Sequence, residues 1–174
     1  MVLSFYKLIR LIYYKAMLLT VPYFKQDIDS SCGPAVLHMV TCFYEIPRSP
    51  REIQRMTNTD PHHGTSNADL QAAAVEMGFD AATKAGSSIE DIRKILREEE
   101  IPVIVNFIEP EHNEGHYTLV IGIDEGDIVF NDPWHGAGYK MTIKEFESRW
   151  KSGYEDRERW MMVMRTEPKD PNGE

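Results

Sequence analysis

Cysteine is scarce: the 174 residues contain two. Two thiols cannot build the bridge framework of a small secreted scaffold. Cys32 and Cys42 also lie in what reads as one helix, roughly 15 Å apart at 1.5 Å per residue. A disulfide reaches about 7 Å between Cα atoms, so both thiols are expected to stay reduced, as in a cytoplasmic protein. Long apolar runs are missing as well. The opening stretch MVLSFYKLIRLIYYKAMLLT is broken by Lys7, Arg10 and Lys15, so neither a signal-peptide core nor a membrane span fits. Residues 1–20 are read as an N-terminal extension, helical or disordered, or as residues ahead of a start at Met17. As an amphipathic helix it would dock on the domain, a partner chain or an anionic membrane surface, with protein favoured over membrane. Positive charge is in deficit, 19 Lys and Arg against 28 Asp and Glu, which argues against nucleic acid as a partner. Metal-site spacing is lacking too. No pair among His62, His63, His112, His116 and His135 shows His-x3-His spacing on a helix (His112 and His116, four apart, stand on a polar loop and the start of the next strand), there is no Cys-x2-Cys, and no metal or other cofactor is expected. No repeat or domain linker interrupts the chain, which reads as one domain over residues 21–167 with a flexible tail, 168–174.

What is present divides into two halves. Helices come first: one from Gly33 to Tyr44, apolar nearly all round and so central; one over Pro50 to Met56 behind the capping box Ser49-Pro50-Arg51-Glu52; one over Asn67 to Met77, closed by Gly78; and one from Ser88 to Glu99. Strands follow at Pro102–Ile108, His116–Asp124 and Ile128–Asp132, with a turn at Glu125-Gly126-Asp127. Pro133 to Gly138 reads as a loop, a short helix ends near Trp150, and Trp160 to Arg165 is the last strand. Helices then antiparallel strands make an α+β domain.

The stretch QDIDSSCGPA, Gln26 to Ala35, carries the chemistry. Cys32 stands at a helix start, where unpaired N–H groups and the macrodipole favour the thiolate. Gly33 allows close approach of a substrate, and Pro34 suits the first turn. A thiol nucleophile needs a base and an orienting group. His116 and Asp132 stand at ends of neighbouring strands. Pairing about Gly126 sets residue 116 opposite roughly 136, so the two meet only through a bulge, an irregular turn or side-chain reach. Asp132 before Pro133 also fits a simple turn cap, and Asn131 is a second candidate for the orienting role. Gln26 is a side-chain donor for an oxyanion, beside the Cys32 N–H. His63 in the 58–67 loop, Gly115 beside His116, and Trp134 as a water shield are candidate substrate-binding residues.

Together these residues resemble a papain-like cysteine peptidase, closest to the bacteriocin-processing (double-glycine leader) peptidases and their stand-alone relatives. The matching pieces are Gln26-x5-Cys32-Gly33-Pro34-Ala35, then GTSNADLQAAAVEMGF, IPVIVNF, GHYTLVIGID and NDPW. The resemblance implies a papain-like fold whose buried nucleophile helix packs on the sheet. It also implies a Cys32–His116–Asp132 triad with Gln26 at the oxyanion, acting on a peptide or protein. Ser31 stands where the family usually has aspartate. Two alternatives stay open: acyl transfer or hydrolysis on a non-peptide amide at the same triad, and a catalytically silent peptide-binding module.

Overall fold

The computed structural model describes residues 17–151 and 158–166. The extension up to residue 16 and the tail 168–174 lie outside the described residues. In order, the elements are β1 (Met17–Leu18), a 3-10 turn (Asp29–Ser31), α1 (Cys32–Phe43), α2 (Pro50–Met56), α3 (Asn67–Glu76), β2 (Asp80–Lys84) and α4 (Ile89–Glu98). Then come β3 (Val103–Ile108), β4 (Gly115–Ile123), β5 (Asp127–Asp132), β6 (Gly136–Thr142), α5 (Ile143–Arg149) and β7 (Met161–Arg165).

The helix starts obey local chemistry. Ser49 accepts the Glu52 N–H and Glu52 reaches back to Ser49, closing the capping box of α2. Ser66 and Ser88 cap α3 and α4 in the same way, each accepting from the residue three on. Gly78 takes φ +91° just past α3, a backbone shape that costs glycine little.

The sheet is antiparallel at every pairing, in the order β2-β7-β3-β4-β5-β6, with β1 beside β4. It is covered on both faces. Val36, Leu37 and Met39 of α1, with Ile53 and Leu70, meet Ile104, Leu119 and Val129 on one side. Ile92, Ile95 and Leu96 of α4, with Phe146 and Trp150, meet Val105, Phe107 and Phe130 on the other. Each fully buried side chain of this size contributes about 1.5–3 kcal/mol. That burial holds Val36, Val40 and Thr41 helical although β-branching disfavours it.

Two expectations need correcting. Met17–Leu18, assigned to the extension, pair with Ile123 and Gly122, and the Leu19 N–H donates to Ile121 O at 2.8 Å, so the ordered domain begins before residue 21. Pro133–Gly138 is not all loop. Gly136 already pairs with Asp132, and β6 runs on to Thr142. This strand hides from a pattern search because it is an edge whose one buried residue is Met141, and because Gly136 and Gly138 carry positive φ.

Gly33 has a packing duty that its helical position does not announce. A Cβ there would lie 2.9 Å from Thr65 Oγ1 and 3.2 Å from Leu70 Cδ1. Thr65 Oγ1 is already bonded to Thr59 Oγ1 at 2.8 Å, so it has little room to retreat. Gly33→Val should therefore lower unfolding free energy by about 1–3 kcal/mol, read from urea denaturation. An unchanged midpoint would contradict the packing.

Candidate active site

Cys32, His116 and Asp132 come together where the start of α1 meets the ends of β4 and β5. The β4–β5 register explains how. Ile123 pairs with Ile128 and Gly122 with Val129, but a bulge then sets Val120 against Phe130 and Leu119 against Asn131. The slipped residue brings Asp132 within diagonal reach of His116. His116 Nε2 lies 3.0 Å and 3.1 Å from the two oxygens of Asp132. Both side chains are buried, that of Asp132 completely.

The Asp132 carboxylate serves a turn and an imidazole at once. Its Oδ1 accepts the Trp134 N–H at 2.9 Å and the His135 N–H at 2.8 Å while also facing His116. Burial alone would push Asp132 up, but the His116 hydrogen bond and charge, with His135 behind, hold it below the usual carboxylate range. The alternative orienter, Asn131, points elsewhere. Its Nδ2 donates to Val21 O at 3.0 Å and its Oδ1 accepts from Gly138 N at 3.4 Å.

The Cys32 thiol is 6% exposed. Burial works against its ionisation, yet its hydrogen bond to His116, the His116 charge, and the N–H groups of Tyr117 and Gly33 bring it below an ordinary thiol. No side-chain oxygen caps α1, so the sulfur itself takes an N–H of the first turn. His116 moves the opposite way. Burial disfavours its charge, but Asp132 and Cys32 outweigh that and raise it. The three groups thus favour a thiolate beside an imidazolium. Cys42 is the contrast: half-buried, it is raised by burial and sits 4.0 Å from His38 Nε2.

The sequence profile of the peptidase C39 family matches residues 20–154. The chain belongs to the peptidase C39 family. It is a cysteine-type peptidase of papain-like α+β fold. Among curated proteins none matches the sequence. Solved structures of C39 peptidases share the fold. The peptidase domain of Streptococcus ComA, a bi-functional ABC transporter involved in a quorum-sensing pathway, is 22% identical, with TM-score 0.66 over 83% of this chain and 97% of that one. A double glycine motif protease from an AMS/PCAT transporter, solved with the leader peptide, is 20% identical, with TM-score 0.66 over 84% and 92%. A C39-like peptidase from Bacillus anthracis is 17% identical, with TM-score 0.68 over 87% and 99%. No helix among the described residues is long and apolar enough to cross a membrane.

Within this C39 domain the remaining candidates are placed as follows. The Gln26 N–H donates to Pro133 O at 3.1 Å, tying the segment before the cysteine to the loop after Asp132. Its side-chain Nε2 donates to Ile28 O at 3.0 Å and Asp29 O at 3.1 Å, and its Oε1 is buried with no hydrogen-bond partner among the described residues. Ser31 holds the same turn, with Oγ donating to Ile28 O at 2.8 Å. Gly33 is buried, and what approaches it is Thr65. His63 is exposed on a turn organised by Asp60, which accepts the His62 and His63 N–H groups at 2.8 Å. That turn borders the Gln26–Ser31 segment, since a Cβ on Gly64 would meet Ser30 O at 3.7 Å. Gly115 opens β4 opposite Ile108. Trp134 leans outward, its Nε1 donating to Glu111 at 3.0 Å and its ring edge-on to His112. Glu109 and His135 also reach this corner, and no spacing in the sequence singles them out.

Proposed function

We propose that the chain hydrolyses peptide bonds at Cys32 through an acyl-enzyme, with His116 as acid and base and Asp132 as its orienting carboxylate. The observation that carries this is the His116–Asp132 contact at 3.0 Å and 3.1 Å, with the Cys32 thiol hydrogen-bonded to the same ring. Since Nε2 is engaged by Asp132, Nδ1 is the nitrogen left for the sulfur.

The thiolate Sγ attacks the scissile carbonyl carbon, and the carbonyl electron pair moves onto oxygen. The tetrahedral centre collapses, the C–N bond breaks, and Nδ1–H of His116 passes its proton to the departing amine. Neutral His116 then takes a proton from water, whose oxygen attacks the thioester. The second tetrahedral centre collapses, the C–S bond breaks, the product leaves as a carboxylic acid that gives its proton to solvent, and the thiolate–imidazolium pair is restored. Donors for the oxyanion are the Cys32 N–H at the helix start and the Gln26 amide. In the free protein both Gln26 N–H groups face backbone carbonyls, so this role requires Gln26 to release one of them when substrate binds. A silent binding module has no use for a buried imidazole–carboxylate pair beside a depressed thiol, which sets that reading behind hydrolysis.

The test is a peptide library incubated with the protein and with Cys32→Ala, the products read by mass spectrometry. Cleavage by the first and none by the second is expected. Equal peptide capture by both, with no cleavage by either, would favour a binding module.

A further inference from the structure

The residue after the nucleophile and the residue after the base are gripped by one strip, Thr65 to Asn67, where the 58–67 loop enters α3. Thr65 packs on Gly33, so closely that a Cβ there would lie 2.9 Å from Thr65 Oγ1. The Tyr117 hydroxyl donates to Asn67 Oδ1 at 2.6 Å, with Thr65 O at 3.1 Å as a second acceptor. Thr65, Asn67 and Tyr117 are all buried. The proposed mechanism uses none of these three side chains.

The strip itself has little freedom. Thr65 Oγ1 continues through Thr59 Oγ1 to Thr57 Oγ1 at 2.8 Å per link, and Thr57 Oγ1 donates to Ile53 O at 3.0 Å in α2. Asn67 Oδ1 also accepts Asn106 Nδ2 at 3.4 Å, from the β3 residue that pairs with Tyr117. Tyr117 is the end that needs holding. The β4–β5 pairing reaches no further than Leu119, so among the described residues Tyr117 has a paired strand on the β3 side alone. A hydroxyl bonded inside a buried polar network resists displacement more than one facing water.

We infer that Tyr117 is a positioning residue: its hydroxyl, clasped by Asn67 and Thr65, ties β4 to the start of α3 and so fixes the spacing of His116 from Cys32. This rests on the Cys32–His116–Asp132 reading above. Tyr117 and Gly33 are also the residues whose N–H groups act on the Cys32 sulfur, so one strip steadies both donors. The acceptors of the clasp are an amide and a backbone carbonyl, neither of them charged. The charge acting on the sulfur is that of His116, which Asp132 supports. The strip therefore acts through geometry, where small misplacements of reacting groups are costly.

The test is the pH dependence of Cys32 alkylation by iodoacetamide, quantified by mass spectrometry on the full chain, with the melting temperature recorded for every variant. Tyr117→Phe keeps the ring and removes the hydroxyl. It should move the acid limb up by about half a pH unit, because a slackened β4 aligns its N–H and the imidazolium less well on the sulfur. Asn67→Ala should move the limb the same way, and the double variant should shift it no further than Tyr117→Phe does, since both remove one bond. Trp160→Phe trims the edge-on contact with the Tyr117 ring, 5.9 Å between centroids, and should lower the melting temperature with the limb in place. A normal wild-type limb left unmoved in both Tyr117→Phe and Asn67→Ala would overturn this inference alone, as would additive shifts in the double variant or an equal shift in Trp160→Phe. A wild-type protein with no limb below the ordinary thiol range would overturn the nucleophile reading, and this inference with it.

Discussion

Cys32→Ser should lower kcat for peptide cleavage by on the order of 10⁶-fold, with KM within about threefold and the fold intact. The size of the effect follows from the ionisation of the sulfur. A thiol held below its ordinary range by His116 and by two backbone N–H groups carries more thiolate at a given pH than a free one. A serine hydroxyl in the same place is not ionised there and must give its proton to His116 during attack, and an imidazole already held protonated beside Asp132 is a poor base for that step. Packing barely changes when sulfur becomes oxygen in a site 6% exposed. Stability should hold or rise, since a buried ion pair is itself costly to desolvate. Steady-state kinetics and a thermal melt check both halves, and retained turnover in the serine variant would remove Cys32 from the reaction.

Asp132→Asn should cost about 10⁴-fold in kcat and narrow the pH–rate bell from its alkaline side. Asparagine keeps an oxygen for the Trp134 and His135 N–H groups, which wild-type Asp132 accepts at 2.9 Å and 2.8 Å, so the turn should survive. What disappears is the charge facing His116. In the wild type Cys32 is held low and His116 high, so the ion pair exists between the two titrations. Activity falls on the acid side as Cys32 is protonated and on the alkaline side as His116 loses its proton. Without the carboxylate the imidazolium is less favoured, so the alkaline limb moves down, while the acid limb, set by Cys32 beside an imidazole already protonated, does not rise. The same shifts act on stability. His116, raised in the fold, contributes fully below about 6.5 and loses that contribution as pH climbs through its folded value. Asp132, lowered in the fold, contributes above about 3.9 and loses its contribution as pH falls through its folded value. The asparagine variant should lose the carboxylate's contribution and most of the imidazole's, flattening its unfolding profile. A bell and a profile matching the wild type would show that the carboxylate does not govern His116.

Much of this architecture is written locally. Ser49 with Glu52, Ser66, Ser88 and Gly78 mark helix limits through neighbouring backbone groups, so the sequence exposes them. The β3 strand is legible because it is buried almost throughout and β-branched. β6 carries no such signal for the opposite reason: it is an edge strand with two positive-φ glycines and no alternation. The His116–Asp132 meeting depends on a single bulged residue in β4, which a symmetric hairpin count does not contain but which the chemistry of the pair requires. Nothing in the spacing of Glu109 and His135 links them. They meet only once the segments after β3 and β5 fold onto one corner. The Gln26 amide turns toward Ile28 and Asp29 for a still more local reason, since the tight turn before Cys32 presents two carbonyls to it. Residue type gave the candidate donor, and the turn decided where its N–H groups rest.

The central claim is that Cys32 is a thiolate because His116 makes it one. Brief iodoacetamide treatment at about pH 6, followed by peptide mapping, tests it with no knowledge of the substrate. Cys32 should label quickly and Cys42, raised by burial, slowly, and the Cys32 label should vanish in His116→Ala while the melting temperature stays within a few degrees. Equal slow labelling of both cysteines, or rapid labelling of Cys32 that survives His116→Ala, would contradict the account.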